Sequence, residues 1–188
     1  MSSGVNQTLY FLVSIIFNLY AWVVILRFLL QLVHADFFNP LSQFTLKLTD
    51  FFVKPVKKVL PYKKGIDYAS LALLLIVVLV KVILMMLIVG TELKPVGIII
   101  ALFAETLIQF LNVYFYLIII VALASWFMRE RYTPVLAVIN KVTDPIMRPV
   151  RRFIQPVSGI DLSPIVVIIL IKVIELLLLM PLLRMAGY

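Results

Sequence analysis

Residues 39–58 read NPLSQFTLKLTDFFVKPVKK, and residues 133–152 read TPVLAVINKVTDPIMRPVRR. The second stretch lies 94 positions after the first, and chemistry repeats at that step. Lys47 recurs as Lys141, Thr49 as Thr143, Asp50 as Asp144, Pro55 as Pro149, and Lys57-Lys58 as Arg151-Arg152. Downstream, Gly65-Ile66-Asp67 recurs as Gly159-Ile160-Asp161; upstream, Asn18 and Tyr20 recur as Asn112 and Tyr114. A fixed period of this kind means one unit copied in tandem. The first copy covers residues 1–94 and the second 95–188.

The flanks of each basic stretch say where the unit lives. Hydrophobic residues make up 64% of the chain and charged residues 14%, with a mean hydropathy of +1.15. Soluble domains are about half apolar and a quarter charged, so the main solvent of this chain is lipid. A span needs roughly 20 apolar residues. Four stretches qualify, at 9–33, 66–89, 103–128 and 160–183. The 33 residues from Val96 to Met128 are too few for two spans and a turn, so one tilted helix is expected there, with an interfacial stub after Pro95. Residues 1–8 carry no Lys or Arg, so the first stretch reads as a permanent span rather than a signal peptide. The fold class is all-α: four transmembrane helices arranged as two hairpin repeats, each with an interfacial segment (40–61 and 134–156) between its spans.

Charge sets the expected orientation. Twelve of the 17 basic residues fall in the two connecting segments: Lys47, Lys54, Lys57, Lys58, Lys63 and Lys64, then Arg129, Arg131, Lys141, Arg148, Arg151 and Arg152. The positive-inside rule puts both segments in the cytoplasm and both termini outside. Two spans per copy give both copies the same orientation, making them parallel rather than inverted repeats. Pro40, Pro55, Pro61, Pro134, Pro145, Pro149 and Pro156 punctuate these segments, while Pro95, Pro164 and Pro181 stand at connectors or span ends, sparing span centres.

From Leu41 to Leu60 the apolar residues Leu41, Phe44, Leu48, Phe51, Phe52, Val56, Val59 and Leu60 recur at helical spacing. An apolar aromatic stripe beside Lys47, Lys54, Lys57 and Lys58 suits an amphipathic helix lying in the lipid interface, with anionic lipid contributing about 1 kcal/mol per cation. Lys141, Arg148, Arg151 and Arg152 repeat the design, with Pro145 and Pro149 expected to divide that helix into shorter pieces. The basic residues read equally well as a lipid- or partner-facing surface and as ordinary connector charge. Asp67 and Asp161 open spans two and four and read as helix caps.

Five charges fall within apolar stretches, where each costs on the order of 2.5–3.5 kcal/mol at a span centre. Arg27 is expected to snorkel from the cytoplasmic end, and Glu105 lies towards the opposite end. Lys81 and Glu175 are related by the repeat step, and Lys172 shares a helical face with Glu175. An intramembrane charge cluster of Lys81, Lys172 and Glu175 between spans two and four is therefore expected, against the plainer reading that the two lysines snorkel. Asn18 and Asn112 read as packing amides between helices.

These residues carry a resemblance. Arg27, His34-Ala35-Asp36-Phe37, Asn39-Pro40, Ser42-Gln43-Phe44, Lys47, Thr49, Pro55, Pro61 and Ile66-Asp67 match the pattern of the first half. Ser125-Trp126, Pro134, Asp144-Pro145, Arg148-Pro149, Arg151-Arg152 and Gly159-Ile160-Asp161 match the second. Together they resemble the YggT family of bacterial membrane proteins, with relatives in plastids, over nearly the whole chain. Phe51 stands where the second copy has Pro145, a departure that affects only the kink. The resemblance implies the cell inner membrane and associations with osmotic stress and ion imbalance, membrane protein or cofactor assembly, and cell division or nucleoid organisation. It brings no catalytic residues.

No cysteine is present and His34 is the only histidine, which removes thiol chemistry and any His-cluster metal site. No paired carboxylates stand beside a nucleophile. The expected protein is thus not an enzyme and takes no cofactor or metal. Anionic membrane lipids are the expected partners, together with a second copy or another membrane protein, and not nucleic acid. A scaffold or assembly role, or a role in osmotic stress tolerance, is the leading expectation; a small ion channel or transporter acting as an oligomer is the alternative.

Overall fold

The computed structural model describes residues 2–60, 65–127, 133–154 and 161–187, the side chains of residues 2, 3, 126 and 127 excepted. Pro61, Lys63, Lys64, Met128, Arg129, Arg131, Pro156, Gly159, Ile160 and the Trp126 side chain lie outside the described residues. Every regular element among the described residues is helical: α1 (Ser2–Leu32), α2 (Pro40–Lys57), α3 (Tyr68–Val89), α4 (Pro95–Phe127), α5 (Pro134–Arg151), α6 (Ser163–Ile174), a π-helical segment (Glu175–Leu179) and α7 (Met180–Met185). Four helices are long and apolar enough to cross a membrane, at Gly4–Leu32, Tyr68–Val89, Pro95–Ser125 and Ser163–Met185. The chain is a multi-pass helical protein.

Local chemistry sets the boundaries. His34 takes a left-handed φ of 49°. Ala35 N–H reaches the Leu30 carbonyl at 2.8 Å and His34 N–H the Gln31 carbonyl at 3.1 Å, a Schellman stop for α1 built without glycine. Gly90, at φ 81°, ends α3. Asn39 and Thr133 cap α2 and α5, each followed by a proline at the first helical position, where its missing N–H costs nothing.

Two expectations are corrected. No separate stub follows Pro95: α4 runs unbroken from Pro95 to Phe127, because no residue between them breaks the helix and Gly97 packs its first turn against Ala186. Nor is α5 divided; Pro145 and Pro149 stand inside one helix. Four residues apart, they share a face, and both are exposed, so the carbonyls they free lie on the outer side.

In each copy the short helix packs on both of its spans: α2 on α1 and α3, α5 on α4 and α6. Between copies, α4 is the common wall. It packs against α1 and α3 on one side and against α6, the π segment and α7 on the other. The core runs through Val24, Ile25, Val53, Val78, Val82, Ala101 and Ala104. Small residues at crossings let helix backbones approach, as lipid-embedded bundles require. A satellite cluster of Ile118, Met147, Val167 and Ile171 seals the second copy.

Candidate functional site

Two polar regions stand out, one among the spans and one at the basic end. The first centres on Lys81 and Glu105, both nearly fully buried. Lys81 Nζ pairs with Glu105 Oε1, from α3 to α4. Gln109, one turn on from Glu105 along α4, donates through Nε2 to Glu105 Oε1 at 2.8 Å and to Asn18 Oδ1 at 2.9 Å. Trp22 Nε1 donates to Gln109 Oε1 at 2.7 Å, which fixes the direction of that amide. A chain of bonds thus ties α1, α4 and α3 inside the bundle.

Lys172 forms a second pair, donating to Glu175 Oε2 at 2.7 Å. Its ammonium sits 4.5 Å from the Phe115 ring centroid and 3.5 Å from Asn112 Oδ1. Asn18 and Asn112, one repeat step apart, therefore each accept from a polar side chain, Asn18 from the buried Gln109 and Asn112 from the partly exposed Lys172. Glu175 opens the π segment, in which Met180 N–H bonds the Glu175 carbonyl five residues back. Pro181 follows; lacking an N–H, it leaves the preceding turn free to widen, and π turns recur where a helix re-aims a side chain.

A cavity of about 360 Å³ joins these groups, lined by Tyr10, Ser14, Asn18, Lys81, Glu105, Gln109, Asn112, Glu175 and Arg184 among others. The expected cluster is corrected accordingly. Lys81 and Glu175 share this cavity, but they do not pair across spans two and four. Helix α3 does not pack on α6–α7, since α4 lies between them, and Lys81 takes its partner from α4. Arg184, at the end of the fourth span, also lines it. Sequence reasoning missed Glu105 and Gln109 as members; their spacing of four on one face of α4, matched by Asn18 and Trp22 on α1, was the available signal.

At the basic end, Arg27 does not snorkel. It is 2% exposed and donates through Nη1 to Thr49 Oγ1 and Asp50 Oδ1, each at 2.6 Å. Asp67, the cap of α3, accepts from Ser70 N at 3.4 Å and Ser70 Oγ at 2.7 Å. Lys57 Nζ lies 3.6 Å from Asp67, and Lys54 Nζ 3.1 Å from Asp50. In the second copy Arg151 spans the equivalent acids, 2.9 Å from Asp161 and 3.5 Å from Asp144. Asp161 also accepts from Ser163 N at 2.9 Å, and Arg148 pairs with Asp144 at 2.9 Å. Burial raises the Asp161 carboxyl, but the bonds from Ser163 and the Arg151 guanidinium outweigh it and hold it below the usual carboxylate range. Lys47, Lys58 and Arg152 are exposed; Lys141 Nζ donates to the His34 carbonyl at 3.2 Å.

The two short helices use their faces differently. Helix α2 buries Ser42, Thr45, Thr49 and Val53 and turns Phe44, Leu48, Phe51 and Phe52 outward. Helix α5 buries its aliphatic residues Val138, Ile139, Val142 and Met147. The expected second apolar stripe is therefore spent inside the core.

A family profile described as CCB3/YggT matches residues 6–88 and again 100–182. Both limits move by the same 94 positions that relate the two basic stretches. The chain belongs to the CCB3/YggT family. It is 35% identical over 188 residues to "Uncharacterized protein PA0392" of Pseudomonas aeruginosa, covering 98% of this chain and 94% of that one. It is 36% identical over 170 residues to "Uncharacterized protein YggT" of Escherichia coli strain K12, covering 90% and 88%. An "Uncharacterized protein" of Haemophilus influenzae is 35% identical over 175 residues, covering 88% of each chain. No solved structure matches. Internal duplication is thus a property of this CCB3/YggT chain over almost its full length.

Proposed function

We propose that this CCB3/YggT chain is a non-enzymatic scaffold of the cell inner membrane. Its basic end lies on the cytoplasmic face, docks on anionic lipid, and holds a second copy or another membrane protein. Its termini lie outside and its two hairpins run parallel, as the charge distribution favours. The observation carrying the reading is the outer face of α2. There Phe44, Leu48, Phe51 and Phe52 stand exposed beside the exposed cations Lys47, Lys54 and Lys58. An apolar, aromatic and cationic face is the chemistry of an interfacial amphipathic helix. A role in osmotic stress tolerance follows from the family resemblance. Photo-crosslinking from position 51 in native membranes tests the scaffold: a discrete protein adduct is expected, and lipid adducts alone would remove it. Osmotic upshift of a deletion strain tests the stress role, which requires rescue by wild type and weaker rescue by Lys47→Glu/Lys54→Glu/Lys58→Glu.

The cavity around Lys81, Glu105 and Glu175 favours a second reading, ion movement through an oligomer. Buried ionisable groups in spans mark ion and proton routes, but four spans enclose no wide pore alone. Proteoliposome flux abolished by Lys81→Ala would favour transport over scaffolding.

A further inference from the structure

Where α1 meets α2, the first copy encloses an opening of about 300 Å³ whose walls include Arg27, Gln31, Ser42 and Lys57. Arg27 Nε, Gln31 Oε1 and Ser42 Oγ are buried and have no hydrogen-bond partner among the described residues. Asp67 Oδ2 lies 3.8 Å from Arg27 Nε, too far for a hydrogen bond. Each such orphan costs roughly 1–3 kcal/mol when it has no partner, so three around one opening mark it as a place that takes a polar partner. The local cations Arg27, Lys54 and Lys57 face the acids Asp50 and Asp67, leaving one positive charge in excess. The chemistry that fits these walls is an anion with several polar atoms.

The duplication supplies an internal control. One repeat step from Arg27, Gln31 and Ser42 stand Val121, Ser125 and Leu136. The acid pair and its bridging cation persist in the second copy as Asp144, Asp161 and Arg151. The ion bridge therefore belongs to the repeat's architecture, whereas among the described residues the orphans grouped where a first span meets its short helix are the first copy's, the second copy's orphan being Ser163 Oγ at the start of α6.

Depth identifies the source of the anion. Arg27 lies near the basic end of α1, which stops at Leu32. Seven residues deeper, about 10 Å along the axis and on the same helix face, the Tyr20 ring walls an apolar groove of about 340 Å³ with Ile16, Phe52 and Leu73. Polar and cationic groups at interfacial depth above a hydrocarbon-lined groove match a lipid, not a free ion. We infer that the opening between α1 and α2 is a specific site for the phosphate-bearing headgroup of an anionic phospholipid. Arg27 and Lys57 take the phosphate, and Gln31 and Ser42 take the headgroup's polar atoms.

The inference rests on the lipid-docking half of the function proposed above, and the test separates the two. Native mass spectrometry of the full chain, purified from vesicles of mixed phosphatidylglycerol and phosphatidylcholine, should show one phosphatidylglycerol retained per chain. The neutral double variant Gln31→Leu/Ser42→Ala should retain it about tenfold less, the loss of two neutral hydrogen bonds. Lys47→Glu/Lys58→Glu, at exposed cations outside the charge balance of the opening, should weaken docking of the α2 face yet keep the retained lipid. Ser42→Ala alone barely alters volume and serves if the double variant misfolds; it should lower retention measurably. Equal retention of both lipids, displacement by millimolar inorganic phosphate, or unchanged retention in both neutral variants would overturn the site.

Discussion

The Asn39 side-chain amide donates to the backbone carbonyl of Pro134 at 2.8 Å. The cap of the first copy's short helix is thereby fastened to the first residue of the second copy's. The same side chain accepts from Leu41 N at 3.0 Å, so one residue both caps α2 and joins the halves. Asn39→Ala loses both bonds and should lower unfolding free energy by about 1–2 kcal/mol. Asn39→Asp keeps the cap, loses the donor, and should cost about 1 kcal/mol. Thermal unfolding of both variants in one detergent measures the difference. Identical midpoints for Asn39→Asp and wild type would show the bridge to be idle.

The Lys81–Glu105 pair makes a sharper prediction, because both groups are buried beside apolar helix. Removing one partner strands a charge, and Lys81→Met or Glu105→Leu should each cost about 3–5 kcal/mol. The double variant strands nothing and should recover most of that loss. A double-mutant cycle on thermal stability reads the coupling. Additive single effects would mean that the two side chains act independently. Glu105→Leu also leaves Gln109 Nε2 its bond to Asn18, so the α1–α4 tie should survive in that variant.

Much of this was legible in sequence, for a physical reason. A repeated unit must bury the same faces twice, so the step of 94 brought out the spans, the short helices and the cap Asp67; Asp161, expected to cap the fourth span, stands one residue before the Leu162 N-cap of α6 and accepts from Ser163 N instead. Symmetry misled where the copies diverged. It offered Glu175 as the partner of Lys81, yet Glu105 has Phe11 as its counterpart and no repeat logic finds it. Arg27 was likewise hidden: its counterpart is Val121, and its partners Thr49 and Asp50 sit on a helix read as facing lipid. Periodicity locates an apolar stripe without saying whether protein or lipid covers it. That is why the outward face of α2 and the inward face of α5 looked alike.

Acid should loosen the basic end. Burial raises the Asp50 carboxyl, but hydrogen bonds from Arg27 and Lys54, with their charges, outweigh it and hold it below the usual carboxylate range. A carboxyl whose folded value lies below its unfolded value, about 3.9, contributes stability above that unfolded value. The contribution is lost as pH falls through the folded value. The unfolding midpoint should thus be level above about pH 5 and fall on acidification below about pH 4. Asp50→Asn should lower the plateau and flatten part of the fall, with Asp161 carrying a share of the remainder. A slope unchanged by Asp50→Asn would assign the acid response to other groups.

Gly97 holds the first turn of α4 against the last residues of the fourth span. A Cβ placed there would lie 2.9 Å from the Ala186 carbonyl oxygen, and backbone cannot swing aside as a flexible side chain can. Gly97→Ala should therefore push α7 away from α4 at a cost of about 1–3 kcal/mol. Gly4 has nothing within 4 Å of its own Cβ position, so Gly4→Ala should be neutral or slightly stabilising. The displacement would widen the interspan cavity, which Leu183 and Arg184 line. The chain has no cysteine, so a single Leu183→Cys at this buried position reports on access to the cavity without background. Its thiol should react faster with a small alkylating reagent when combined with Gly97→Ala than alone. Equal rates together with an unchanged midpoint would mean that the α4–α7 contact tolerates the methyl group and does not set the width of the opening.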